Sequence, residues 1–256
     1  MFSEITKKIL QEAKLARKKV HHKPGIAVGK AAISDNGVYL SNYAGCLLNR
    51  QIDIFDDTIL LLKNNRIPAA CTISRGMIET YAFAKLLSKK IATILTDKPG
   101  ETGVQEALNL VVSFTNSSRI KETEQKKVSK GIINIDDYSF TEQARHRLEN
   151  MLAGSEHVLN ALRDLYKDEM KQTKEKESNT ENLYDALSEW VHPSQTSVFH
   201  NYVPDTHQIH TSVGFIHLHD GARLSCARAL HFITDSKNIY DWTLRLANEI
   251  TCRSQR

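Results

Sequence analysis

The sequence predicts an all-α fold, a multi-helix bundle of about seven or eight helices, from three observations. Helix-forming residues far outnumber the 11 glycines and 5 prolines of the 256-residue chain. Apolar residues recur at three-and-four spacing over long segments, and β-branched runs are short. Hydrophobic residues make up 41% of the chain, enough for a core. No internal repeat divides the chain, so residues 1–256 are expected to form a single helical domain.

Taken in order, Ser3 caps an amphipathic helix over 3–20 in which Ile5, Ile9, Ala13, Ala16 and Val20 share a face. It is read as an appendage ending before Pro24 and Gly25. A turn-rich connection leads to a helix over Leu40–Lys63, with Ile52, Phe55, Ile59 and Leu62 as its core stripe. Pro68 opens a third helix carrying Ile73, Met77, Tyr81 and Ala84. Residues 98–103 read as a turn, Val104–Phe114 as helix and Arg119–Lys130 as a charged continuation. Thr141–Met170 is the strongest helical pattern, followed over 171–182 by a flexible loop without apolar anchors. A helix from Tyr184 should stop at His192, because Pro193 disfavours the α conformation there. The alternation over 209–218 predicts a short β element, and two helices close the sequence near Ala222–Ile233 and Asn238–Cys252.

Composition narrows the function classes. No uninterrupted apolar run approaches membrane-spanning length, and the polar N-terminus lacks a secretory pattern, so the expected location is cytoplasmic and no membrane partner is expected. Cys46, Cys71, Cys226 and Cys252 form no Cys-x-x-Cys pair and read as reduced thiols, neither a disulfide frame nor a zinc site. A net charge of +4 permits contact with RNA without demanding it.

Two groups of residues stand out as candidate chemistry. Between Ala69 and Ala84 the charged side chains are Arg75 and Glu79, one helical turn apart in an otherwise apolar or weakly polar segment. Desolvating either ion costs several kcal/mol, so each needs partners. Tyr184, Ser188 and His192 lie four apart along one stripe of a later helix, beside Leu183, Leu187, Trp190 and Val191. His192 at the helix end would sit near carbonyls whose dipole favours imidazolium, which suits a proton-transfer group or an ion-pair partner. The two helices are expected to touch, giving either a structural ion-pair lock or a catalytic or binding cluster of Arg75, Glu79, Tyr184, Ser188 and His192.

Ser74-Arg75-Gly-Met-Ile-Glu79, followed later by Tyr184-Asp-Ala-Leu187-Ser188-Glu-Trp-Val191-His192-Pro193-Ser194, resembles bacterial helical proteins related to HEPN-type domains. That resemblance implies an all-helical cytosolic protein that binds or cleaves RNA, with a toxin or phage-defence role, a metal-independent ribonuclease chemistry and homodimerisation. HEPN ribonucleases use an Arg followed four to six residues later by a His on one helix. No Arg stands at that spacing before His192, and Arg17 to His22, the formal match, lies at the end of a lysine-rich helix. A ribonuclease site would be composite, with His192 as acid or base, Arg75 stabilising phosphoryl charge, and Glu79 or Tyr184 orienting them. A noncatalytic helical protein binding RNA or a partner protein is the alternative.

A third reading is a metal-dependent hydrolase built on His200, His207, His210, His217, His219 and His231 with Asp205 and Asp220. On a strand, His217 and His219 would share a face. The spacings fit no defined metal motif, so surface or capping roles are expected and no metal or other cofactor is predicted. Gly25 to Lys30 lacks the glycine spacing of a phosphate loop, and no nucleophile elbow or dinucleotide fingerprint occurs. The lysines over 121–130 and 167–176 alternate with glutamates and read as solvated faces.

Overall fold

The computed structural model describes residues 3–24, 36–115, 156–194, 197–198 and 209–255, with the backbone alone at 36 and over 209–218. Eight helices and no strand occur among them: α1 (Glu4–Arg17), α2 (Asn36–Lys63), α3 (Ile67–Asp97), α4 (Glu101–Thr115), α5 (Val158–Thr173), α6 (Asn179–Ser188), α7 (Ile209–Ala229) and α8 (Phe232–Ser254). The all-α bundle follows from the helical periodicity of the sequence. No described helix is long and apolar enough to cross a membrane.

The long helix α3 is the axis of the bundle, touching α2, α4, α5, α6, α7 and α8. Pro68 lies in its first turn, where a missing N–H costs nothing. Its end is set by the extended Lys98 and by Gly100, whose φ of 74° lies in the left-handed region that a glycine enters without strain. Cys71, Ser74, Met77, Ile78 and Ile91 are fully buried on several of its faces, as expected for a helix surrounded by others. Around it, α2 lies against α8, and one continuous cluster of buried apolar side chains runs from Leu10 of α1 to Ile250 of α8.

Several elements differ from the sequence expectation. Residues 209–218 are helical and form the start of α7, so the expected β element is absent. Their alternating pattern is overridden because they continue into a helix packed on α3 and α6. The flexible loop expected over 171–182 is reduced to Lys174–Ser178. Lys174 ends α5 at a φ of 60°, and Ser178 starts α6 by accepting a 3.0 Å hydrogen bond from the Glu181 amide. Glu169 of α5 fastens this connection through the Ser178 hydroxyl and the Thr180 amide. Nor is α1 an appendage: Thr6 and Ala13 are fully buried, it packs on α7 and α8, and its backbone at Ile9 is bound to His231. The turn at 98–103 ends at Gly100, where α4 takes over. The first part of the pattern over 141–170, the charged stretch 119–130 and the irregular stretch before 209 lie largely outside the described residues.

Candidate functional site

Helices α3 and α6 touch through the polar residues singled out above. Arg75 Nε donates to Glu79 Oε1 at 2.8 Å, and Tyr184 Oη donates to the same oxygen at 2.9 Å. The Arg75 guanidinium lies over the Tyr184 ring, 4.9 Å from its centroid. Leu187, fully buried three residues after Tyr184, holds α6 in this register, and burying a leucine contributes about 2 kcal/mol. Burial, reinforced by the charge and hydrogen bond of Glu79, pushes the Tyr184 phenol up to about 12, so it stays a donor at neutral pH.

The other two members of the stripe do not enter this triad. Ser188 Oγ turns back to the Tyr184 carbonyl at 2.8 Å. His192 is exposed on the turn beyond α6, and no hydrogen bond or ion pair joins its ring to Arg75, Glu79 or Tyr184. Its amide bonds the Ser188 carbonyl at 3.3 Å, and its own carbonyl receives the Ser194 amide at 2.7 Å, which makes it a backbone link in the turn. Trp190 is buried as expected, whereas Val191 is exposed, because the chain leaves the helix at Ser188 and the apolar stripe does not continue.

Glu79 is also the link to a feature without a local signature in the sequence. A groove of about 240 Å³ runs between α2, α3, α4 and the start of α5, lined by Tyr43, Leu47, Arg50, Glu79, Thr80, Phe83, Phe114, Thr115 and Val158. Arg50 stands at its edge, its Nε donating to Thr80 Oγ1 at 3.2 Å. The floor is apolar, with the Phe83 and Phe114 rings 4.6 Å apart. Tyr43 donates to the Phe114 carbonyl at 3.2 Å, and burial raises its phenol beyond the ordinary range. Arg50 and Arg75 are thus both fixed through Nε. Neither pairs its terminal nitrogens with another described residue, so each presents the pair of donors that phosphate or carboxylate accepts in a fork. Glu79 receives both of its hydrogen bonds on Oε1.

An ion network fixes the groove wall. Lys89 of α3 bonds both carboxylate oxygens of Asp164 and both of Asp168 on α5 at 3.0 to 3.1 Å. Burial alone would raise the Asp168 carboxyl, but its bond to Lys89 and the charge of Lys85 together bring it below the usual range. Lys90 binds Glu156 at 2.5 Å just before α5, with the same net outcome for the Glu156 carboxyl: burial opposes, and Lys90 with Asn160 outweighs it.

The remaining candidates take structural positions. Arg17 grips Asp56 through two nitrogens, and His22 bonds Asp53 at 2.8 Å, so the formal Arg-to-His match ties α1 to α2. His231 bonds the Ile9 carbonyl at 3.2 Å, and the His219 ring lies 6.1 Å from that of Trp190. The helical backbone through 217 and 219 removes the shared face that a strand would have given them. Asp220 pairs with Arg223 at 3.7 Å. His200, His207 and Asp205 lie outside the described residues, as do the side chains of His210 and His217. No group of three metal-ligating side chains occurs among the described ones.

Neither the curated proteins nor the solved structures provide a match to this chain. A protein-family model does, over residues 41–209, a span that begins within α2, runs through α6 and therefore holds the triad and the groove. The chain belongs to that family, the family of unknown function DUF5677.

Proposed function

We propose that this chain is a HEPN-like cytosolic protein that binds single-stranded RNA in the groove beside Glu79, without a step that depends on His192. The observation that carries the reading is the pair of arginines, Arg50 and Arg75, each held by Nε with its terminal nitrogens turned to no described partner. A pre-set guanidinium fork suits a phosphate. The groove edged by Arg50, with an apolar floor and the Glu79 carboxylate, suits one base or ribose, with Oε2 accepting from an amino group or a 2′-hydroxyl. The net charge of +4 and the resemblance of the Ser74 to Glu79 and Tyr184 to Ser194 segments to HEPN-type domains favour RNA over a small acid. The exposed position of His192 favours binding over histidine-dependent cleavage.

The test is fluorescence anisotropy of a labelled single-stranded RNA pool with wild type, Arg50→Ala and His192→Ala, titrated over salt. Arg50 is exposed, so its truncation spares the fold. Loss of one phosphate contact should weaken binding roughly tenfold and lower the salt slope by about 0.7, while His192→Ala binds as wild type. Equal affinity and slope for Arg50→Ala would refute the groove as the site. Chelator-resistant cleavage of the same pool by wild type but not by His192→Ala would replace binding with the composite ribonuclease reading.

A further inference from the structure

Cys71 of α3 and Cys226 of α7 are distant in sequence, yet their sulfurs lie 3.6 Å apart, and both residues are completely buried. Ser74, one turn beyond Cys71, directs its hydroxyl at Cys226 Sγ at 3.4 Å and shares it with the Cys71 carbonyl at 3.2 Å. Cys71 Sγ also approaches the Ala222 carbonyl at 4.0 Å. The Ser74 hydroxyl donates to the Cys226 sulfur, and the two thiols share a hydrogen bond in which either can be the donor. The proton shared with Cys226, together with burial, raises the Cys71 thiol. The Ser74 hydroxyl sits on the Cys226 side of the pair, and Cys71 is placed to attack Cys226.

We propose that Cys71 and Cys226 are a peroxide-oxidisable pair that closes an internal disulfide between α3 and α7. The sulfurs need to approach by about 1.5 Å to reach bonding distance, within the reach of side-chain rotation and a small helix shift. The Cys226 thiolate attacks one oxygen of hydrogen peroxide. The O–O bond breaks, the departing hydroxide takes a proton to become water, and Cys226 is left as the sulfenic acid. Cys71 sulfur then attacks Cys226 sulfur, the S–O bond breaks, and hydroxide leaves with the Cys71 proton as a second water. Two thiols have lost two hydrogens and two electrons, and one peroxide has become two waters. Burial selects the oxidant, since a molecule little larger than water enters through minor fluctuations and a bulky disulfide such as oxidised glutathione does not. The new bond would sit one turn from Arg75, pinning the helix that carries Arg75 and Glu79 against α7. The pair stands independently of the RNA-binding reading.

The experiment uses the full chain with the two exposed thiols removed, Cys46→Ser with Cys252→Ser. It is treated with limited hydrogen peroxide or with oxidised glutathione, then denatured and alkylated without reductant for intact-mass and peptide analysis. The expected result is loss of two hydrogens, loss of both alkylatable thiols and a peptide linked through Cys71 and Cys226. The link should be reversible by dithiothreitol and form faster with peroxide than with oxidised glutathione. Adding Cys71→Ser should abolish the link and leave Cys226 as a sulfenic or sulfinic acid. Retention of both thiols through a dose that oxidises Cys46 and Cys252 in the wild-type chain would overturn the proposal. So would over-oxidation of Cys226 while Cys71 stays alkylatable in the chain that retains both.

Discussion

Replacing Glu79 with alanine removes the carboxylate on whose Oε1 two hydrogen bonds from two helices converge. The Arg75 and Glu79 side chains are 25% and 24% exposed, so the loss falls between that of a surface pair and that of a fully buried one. Two lost hydrogen bonds and a stranded, partly desolvated guanidinium should cost about 2 kcal/mol. For a chain of this size that is a fall in Tm of roughly 4–8 °C. Glu79→Gln keeps a carbonyl oxygen for Tyr184 but gives up the charge on Arg75, so it should cost about half as much. Differential scanning calorimetry of wild type, both variants, Tyr184→Phe and the double variant Glu79→Ala with Tyr184→Phe supplies the assay. The Glu79→Ala and Tyr184→Phe losses should fall short of additivity by about 1 kcal/mol, because both remove the same bond. A Glu79→Ala melting point equal to that of wild type would refute the reasoning, and strict additivity would show that the Tyr184 bond carries no energy.

Alkaline titration reads the same contact from the other side. An unfolded tyrosine titrates near 10 and Tyr184 in the fold near 12, so its contribution is complete below the unfolded value and is lost as pH rises through the folded one. Thermal stability should decline between those values, and Tyr184→Phe should reduce the decline; an unchanged pH slope in the variant would contradict the assignment. At the other end of the bundle, a Cβ on Gly37 would lie 1.9 Å from Thr251 Oγ1 and 2.4 Å from the Ala247 carbonyl oxygen. The hydroxyl can rotate away but the backbone oxygen cannot, so Gly37→Ala should destabilise by about 1–3 kcal/mol in urea unfolding. A midpoint at or above that of wild type would show that α2 and α8 separate without cost.

The parts of this structure that sequence makes legible are those governed by local rules. Pro68 marks a helix start because its ring needs no N–H there, and Ser3 marks one because its side-chain oxygen accepts from the Thr6 amide. Ser178, which caps α6 in the same way, is hidden in a polar stretch without apolar anchors. The isolation of Arg75 and Glu79 among apolar neighbours announces that they need a partner across the fold. Tyr184 was readable as that partner because it edges a core-facing stripe. His192 was not separable from it by the same logic: the stripe assumes a helix continuing to 192, and the helix in fact ends at Ser188. Arg50 and Thr80 meet across 30 positions of sequence, and Cys71 and Cys226 across 155, distances at which no spacing rule operates. The start of α7 misleads for the opposite reason, since alternation is a local signal that packing on α3 and α6 overrides.

The seating of α8 on the α2–α3 pair bears on the order in which this protein folds. Helices α2 and α3 are joined by a tight turn at Asn64 to Arg66, so a nascent chain forms this hairpin from contacts near in sequence, quickly and early. Its other flank bears Ser88, which meets Thr243 of α8 at 2.6 Å, and Leu95, whose carbonyl is bound by Arg253. These partners come from the last described helix and leave the ribosome late. Until then the side chains of α2 and α3 that α8 covers face solvent, so the bundle closes its core only with its last described helix.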